Sequence, residues 1–93
     1  MTVQHKTSGS KGVFYVMHED ELAAEMVYTT PSEGLMVIEH TEVQDALRGK
    51  NIGYELVHAG VEYARMHGLK IMATCPFARS VLQKKPEWKD VMA

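Results

Sequence analysis

A chain of 93 residues holds one domain with one hydrophobic core and leaves no room for a separate substrate domain. Hydrophobic residues make up 45% and charged residues 24%, the balance of a packed protein rather than a disordered or fibrous one. The formal charge of −2 supplies no global field for a polyanion, so nucleic acid and anionic membrane are poor first guesses as partners and any anion site has to be local.

Residues 1–11 are polar, end in Ser8-Gly9-Ser10-Lys11 and show no hydrophobic period, which predicts a flexible tail ahead of a single domain over 12–93. They hold no run resembling a signal peptide, and no stretch approaches the roughly 20 apolar residues of a membrane span. Cys75 is the single cysteine, so neither an intramolecular disulfide nor a cysteine-based zinc cluster can form. A reducing compartment, the cytoplasm, is the expected location. Gly12 to His18 is rich in β-branched and aromatic residues, and His18-Glu19-Asp20-Glu21 supplies a polar hairpin turn. Leu22, Ala24, Met26 and Tyr28 then alternate with Ala23, Glu25, Val27 and Thr29, the period of a strand with one buried face. Thr30-Pro31-Ser32-Glu33-Gly34 stops it, and a third strand follows over Leu35 to Val43.

Beyond Gln44 to Asn51 the period becomes 3.6, with Ile52, Leu56, Ala59, Tyr63 and Ala64 on one stripe that Val57 and Val61 widen. Gly68 marks the end of this helix. Leu69 to Cys75 reads as another strand stopped by Pro76, and a short helix is expected from about Phe77 to Lys84. Pro86 ends that helix and leaves Trp88, Val91 and Met92 as a tail able to fold back. Tyr63, Met66 and Met72 are expected in the core. The fold class is therefore α+β, a mixed sheet of about four strands in the order β-β-β-α-β-α.

The chemistry concentrates in Val43-Gln44-Asp45-Ala46-Leu47-Arg48-Gly49-Lys50-Asn51-Ile52-Gly53-Tyr54, between a strand and the start of the long helix. Small or turn-prone residues at 49, 51 and 53 allow close backbone approach, and the first helical N–H groups lack intrahelical acceptors. Arg48 and Lys50 add full charges to the partial positive charge of the helix end, so a pyrophosphate could be held there by amides and cations together. Neither the P-loop spacing nor the Rossmann spacing is present, which disfavours an ATPase or a nicotinamide enzyme. A proton acceptor is offered by His40 and Glu42, two apart on a strand and hence on one face. The histidines show no metal-ligand spacing, so no metal is expected.

Arg48-Gly49-Lys50-Asn51-Ile52-Gly53 resembles the acetyl-CoA loop of the GNAT superfamily of N-acetyltransferases, R/Q-x-x-G-x-G/A, at Arg48 and Gly53 and departs from it at Asn51. More narrowly, the chain is similar to the small stand-alone group in that superfamily, through His40-Thr41-Glu42-Val43, Leu47 to Gly53 and Thr74-Cys75-Pro76. The resemblance implies a minimal GNAT-like fold and transfer of an acetyl group from acetyl-CoA to an amine. Acetyl-CoA would then lie against Val43, Gln44, Arg48, Gly49, Lys50, Asn51, Ile52, Gly53 and Tyr54. Catalytic work would fall to Cys75, His40 and Glu42. Cys75 could protonate the departing thiolate, form an acyl-enzyme or simply fill space. Typical members are longer, with two helices after the first strand and extra C-terminal strands that help form the acceptor site, so a CoA-binding sensor or adaptor without transfer chemistry stands as the alternative.

Overall fold

In the computed structural model, which describes residues 2–93, five strands form one sheet in chain order. They are β1 (Gln4–Ser8), β2 (Lys11–His18), β3 (Glu21–Ser32), β4 (Leu35–Val43) and β5 (Lys70–Ala73). The first four pair antiparallel and β5 joins β4 in parallel, across the helix α1 (Ile52–His67). After β5 come α2 (Pro76–Gln83) and a 3-10 helix over Pro86–Val91. The α+β mixed sheet is the expected class, with one strand more than expected.

That extra strand corrects the tail assigned to residues 1–11, of which Met1 lies outside the described residues. Gln4–Ser8 pairs with β2 from Gln4↔Tyr15 to Ser8↔Lys11 through a turn at Gly9. Its polar sequence suits an edge strand, where exposed polar and charged side chains discourage further pairing. His5 holds it in place: the imidazole stacks on Phe14 with centroids 4.1 Å apart, and its Nε2 lies 2.6 Å from the Tyr28 hydroxyl.

The β2–β3 hairpin turns at Glu19 and Asp20, both with positive φ (52° and 65°), as a turn matching the strand twist requires. A register shift between Val16 and Met17 then displaces the alternation expected from Leu22. Ala23 and Ala24 are both buried, whereas Leu22 is exposed. Below the sheet, α1 buries Gly53, Leu56, Val57, Gly60, Val61 and Ala64 against Phe14, Met26, Met36, Ile38 and Ile71. Ile52, Ala59 and Tyr63, expected on the buried stripe, sit at its margins. Gly68 closes the helix in the left-handed region. Met66 and Met72 correct the expected core, being 85% and 53% exposed: Met66 lies on the outer side of α1 and Met72 on the strand position pointing away from Ile71. Trp88 and Val91 are buried, so the C-terminal segment does fold back. Arg65 fastens it with paired bonds of 2.9 Å to Asp90.

The His5 contact makes stability pH-dependent. Burial, helped by the nearby charge of His67, lowers the His5 pKa from 6.5, so protons favour the unfolded chain. The contribution is therefore complete above that value and is lost as the pH falls through the lower folded-state value. The melting temperature is expected to drop as the pH falls below 6.5, with a shallower slope in His5→Gln. Identical slopes in thermal melts of the two proteins would refute it.

Candidate active site

The site begins where β4 and β5 part. Their pairing covers only Leu35↔Lys70 to Ile38↔Ala73. The Ile38 carbonyl accepts from both Thr74 N–H (2.9 Å) and Cys75 N–H (3.3 Å), after which the chain leaves β4. From Glu39 to Val43, β4 keeps β3 on one side and, among the described residues, has no strand on the other. The register places Tyr28 opposite Ile38 but Val27 opposite His40, so Glu39 is an extra, bulged residue. Its insertion flips the parity of the strand. Ile38, Thr41 and Val43 pair with the core-facing Tyr28, Met26 and Ala24, while His40 and Glu42 pair with Val27 and Glu25 on the other face.

The open edge borders a cavity of about 680 Å³, lined by the end of β4, the loop before α1, the first turn of α1 and one side of α2. Of the residues expected to hold a cofactor, Val43, Arg48, Gly49, Asn51, Ile52, Gly53 and Tyr54 line it. Gln44 and Lys50 do not. Gln44 is turned toward β3, its amide donating to the Leu22 carbonyl at 2.8 Å, and Lys50 is exposed. Glu42, expected as a catalytic residue, lines it too, as do Thr41, Leu47, Phe77, Val81, Lys84 and Lys85, to which the sequence assigned no role. The spacing of Phe77 and Val81, four apart on one helical face, was the available signal.

Local conformation explains the loop. A 3-10 turn over Asp45–Leu47 leads to Gly49 (φ 82°) and Asn51 (φ 65°), so the positive φ demanded at 51 is met by the non-glycine type that tolerates it. Asn51 forms no side-chain cap on α1, and the first helical bond runs from Glu55 N–H to the Asn51 carbonyl at 3.1 Å. The N–H groups of Ile52, Gly53 and Tyr54 therefore stand at the cavity without an intrahelical acceptor. Arg48 Nε lies 3.2 Å from Asp45 Oδ1, which orients an exposed guanidinium beside them. Gly53 has a second constraint, since a Cβ there would come within 2.7 Å of the Phe77 ring.

Cys75 caps α2 immediately before Pro76 and is 6% exposed, behind the cavity wall. Its thiol donates to the Thr41 hydroxyl, 3.5 Å away, and Thr41 faces the cavity. Burial pushes the thiol pKa up, but hydrogen bonding with the Ala78 backbone, the Thr41 hydroxyl and the Phe77 backbone outweighs it, so the net shift is below the ordinary value. His40 and Glu42 also meet, with Nε2 3.4 Å from Oε2, both exposed. The bulge thus delivers two pairs on opposite faces of one strand: Thr41 with Cys75, and His40 with Glu42. Among the described residues no group of three or more His, Cys, Asp or Glu side chains could hold a metal ion.

The fold is that of an acetyltransferase, with uncapped amides at a helix start and a parted strand pair beside them. Residues 13–91 match the model of the GCN5-related N-acetyl-transferase family, and the chain belongs to that family. A GCN5-like protein from Staphylococcus aureus, solved in solution by NMR, is 36% identical over 97% of this chain and 87% of its own, with a TM-score of 0.75. The ribosomal-protein-S18-alanine N-acetyltransferase of Escherichia coli shares the fold at a TM-score of 0.70 and 10% identity, over 84% of this chain and 53% of its own. A ribosomal-protein-alanine N-acetyltransferase from Brucella melitensis biovar Abortus 2308 does so at 0.67 and 15% identity, over 81% of this chain and 62% of its own. The chain thus spans little more than half the length of these last two. No curated protein matches it.

Proposed function

We propose that this chain transfers an acetyl group from acetyl-CoA to an amine, with the co-substrate lying across the cavity between β4 and α2. The carrying observation is that the open edge of β4 and the uncapped amides of Ile52, Gly53 and Tyr54 face one cavity flanked by Arg48. The fit is chemical: amides and a guanidinium suit a pyrophosphate, and free strand groups between Glu39 and Val43 suit the amides of a pantetheine arm. Gln44 and Lys50 would act at the margin of this site. The match to the Staphylococcus aureus protein over 87% of its length supports placing the chain with small stand-alone members of the family.

In the reaction a C–N bond forms and the thioester C–S bond breaks. The proton lost by the amine goes to His40, with Glu42 beside it, directly or through water, on the open face of the sheet. The departing sulfur takes a proton from Cys75 through the Thr41 hydroxyl, which bonds the thiol and faces the cavity. Most of the rate enhancement would come from positioning. The reduced Cys75 suits the cytoplasm.

Ligand binding to the folded state alone stabilises by RT ln(1 + [L]/Kd), about 2.7 kcal/mol at a hundredfold excess over Kd. Acetyl-CoA should raise the melting temperature accordingly, and an unchanged melt at millimolar ligand would dismiss the cavity as its site. A CoA-binding adaptor without transfer chemistry is the second reading. Turnover with a panel of amines separates the two, since an adaptor binds acetyl-CoA and leaves every amine unmodified.

A further inference from the structure

We propose that Lys84 and Lys85 form a second anion subsite that makes the protein select a nucleotide carrying a ribose phosphate over one lacking it; this rests on the acetyl-CoA reading above. Four residues from α2 and its end line the cavity, Phe77, Val81, Lys84 and Lys85. Phe77 and Val81 lie on one face of α2, and Lys84 and Lys85 follow just beyond its last residue, Gln83, so this face of the cavity changes from apolar to cationic along the chain. At the apolar end, Phe77 abuts Gly53 and follows Cys75 by two residues. The face therefore orients a long ligand, with its reacting thioester toward Cys75 and its charged nucleotide toward the lysines.

The phosphate groups divide between the two ends of this charge pattern. The α1 amides and Arg48 suit the pyrophosphate, and Arg48 is already shared with Asp45 at 3.2 Å. Lys84 and Lys85 have no carboxylate partner among the described residues. Lys85 is held rather than free: its Nζ stands 4.9 Å above the Tyr54 ring and 5.9 Å from that of Trp88. Tyr54 also lines the cavity, so the cation–π contact fixes an ammonium group at its wall. Lysines at a helix C-terminus also offset the helix dipole, but that role is indifferent to the ligand.

The test is titration calorimetry of the full chain with acetyl-CoA and with 3′-dephospho-acetyl-CoA, at low and high salt. The native protein is expected to prefer acetyl-CoA by about tenfold or more at low salt, and by less at high salt. In Lys84→Gln/Lys85→Gln, which keeps much of each stem, both ligands should bind with the affinity the native protein shows for the dephosphorylated one. Equal affinities in the native protein overturn the subsite and leave the acetyl-CoA reading standing. So does an undiminished preference in the double variant. Failure of the native protein to bind either ligand overturns both, and the native comparison decides the matter even if the variant does not fold.

Discussion

Cys75→Ser is expected to lower acetyl transfer about a hundredfold or more while leaving acetyl-CoA binding near normal, the usual consequence of removing a positioned proton-transfer group. The thiol is 6% exposed and reaches the cavity through Thr41. Serine keeps the shape but holds its proton far more tightly, so the departing sulfur loses its acid. Thr41→Val should reproduce much of the defect, because it cuts the same path without touching Cys75. The bonds from Ala78, Thr41 and Phe77 bring the thiol below its ordinary pKa, so a rate that needs the protonated thiol should decline on the alkaline side earlier than an unperturbed thiol would dictate. That limb should vanish in Cys75→Ser. If Cys75 were a nucleophile, an acetyl adduct would appear in the intact mass after mixing with acetyl-CoA alone, and the low exposure argues against it. A purely packing role predicts a different pattern: a stability loss of about 1 kcal/mol or more from burying a hydroxyl, with turnover per folded molecule unchanged.

What the sequence made legible was local. The bounds Leu35 to Val43, the end of α1 at Gly68 and the left-handed position at Asn51 follow from alternation, a terminal glycine and turn preference within a few residues. β1 was hidden because an edge strand needs only one inward residue, and His5 does not read as apolar. The shared face of His40 and Glu42 was readable from their spacing, but which face was not. The bulge at Glu39 decides that, and it exists only in the register against β3. Thr41, Phe77, Val81, Lys84 and Lys85 escaped notice for a related reason, since the cavity forms between segments far apart in the chain. The expected burial of Met72 failed because β5 is covered on one face only.

Gly53→Val is expected to weaken acetyl-CoA binding about a hundredfold, and the structure supplies two reasons that a single variant cannot separate. Side-chain bulk at the start of α1 stands between the ligand and the amides of Ile52, Gly53 and Tyr54. Losing two hydrogen bonds to charged phosphate oxygens, at about 1.5 kcal/mol each, corresponds to roughly that factor. The same Cβ falls 2.7 Å from Cζ of Phe77, a half-exposed ring that must swing aside, and overpacking of this kind costs about 1–3 kcal/mol. Phe77→Ala in the Gly53→Val background resolves them, because it removes the collision and leaves the blocked amides. The double variant should recover stability relative to Gly53→Val, a coupling readable in thermal melts, while its affinity stays low. Phe77→Ala alone, which deletes apolar wall and no phosphate donor, should weaken binding far less than Gly53→Val does. Recovery of affinity in the double variant would mean that Gly53 is small only to admit Phe77. The phosphate cradle would then have to be sought elsewhere along the cavity.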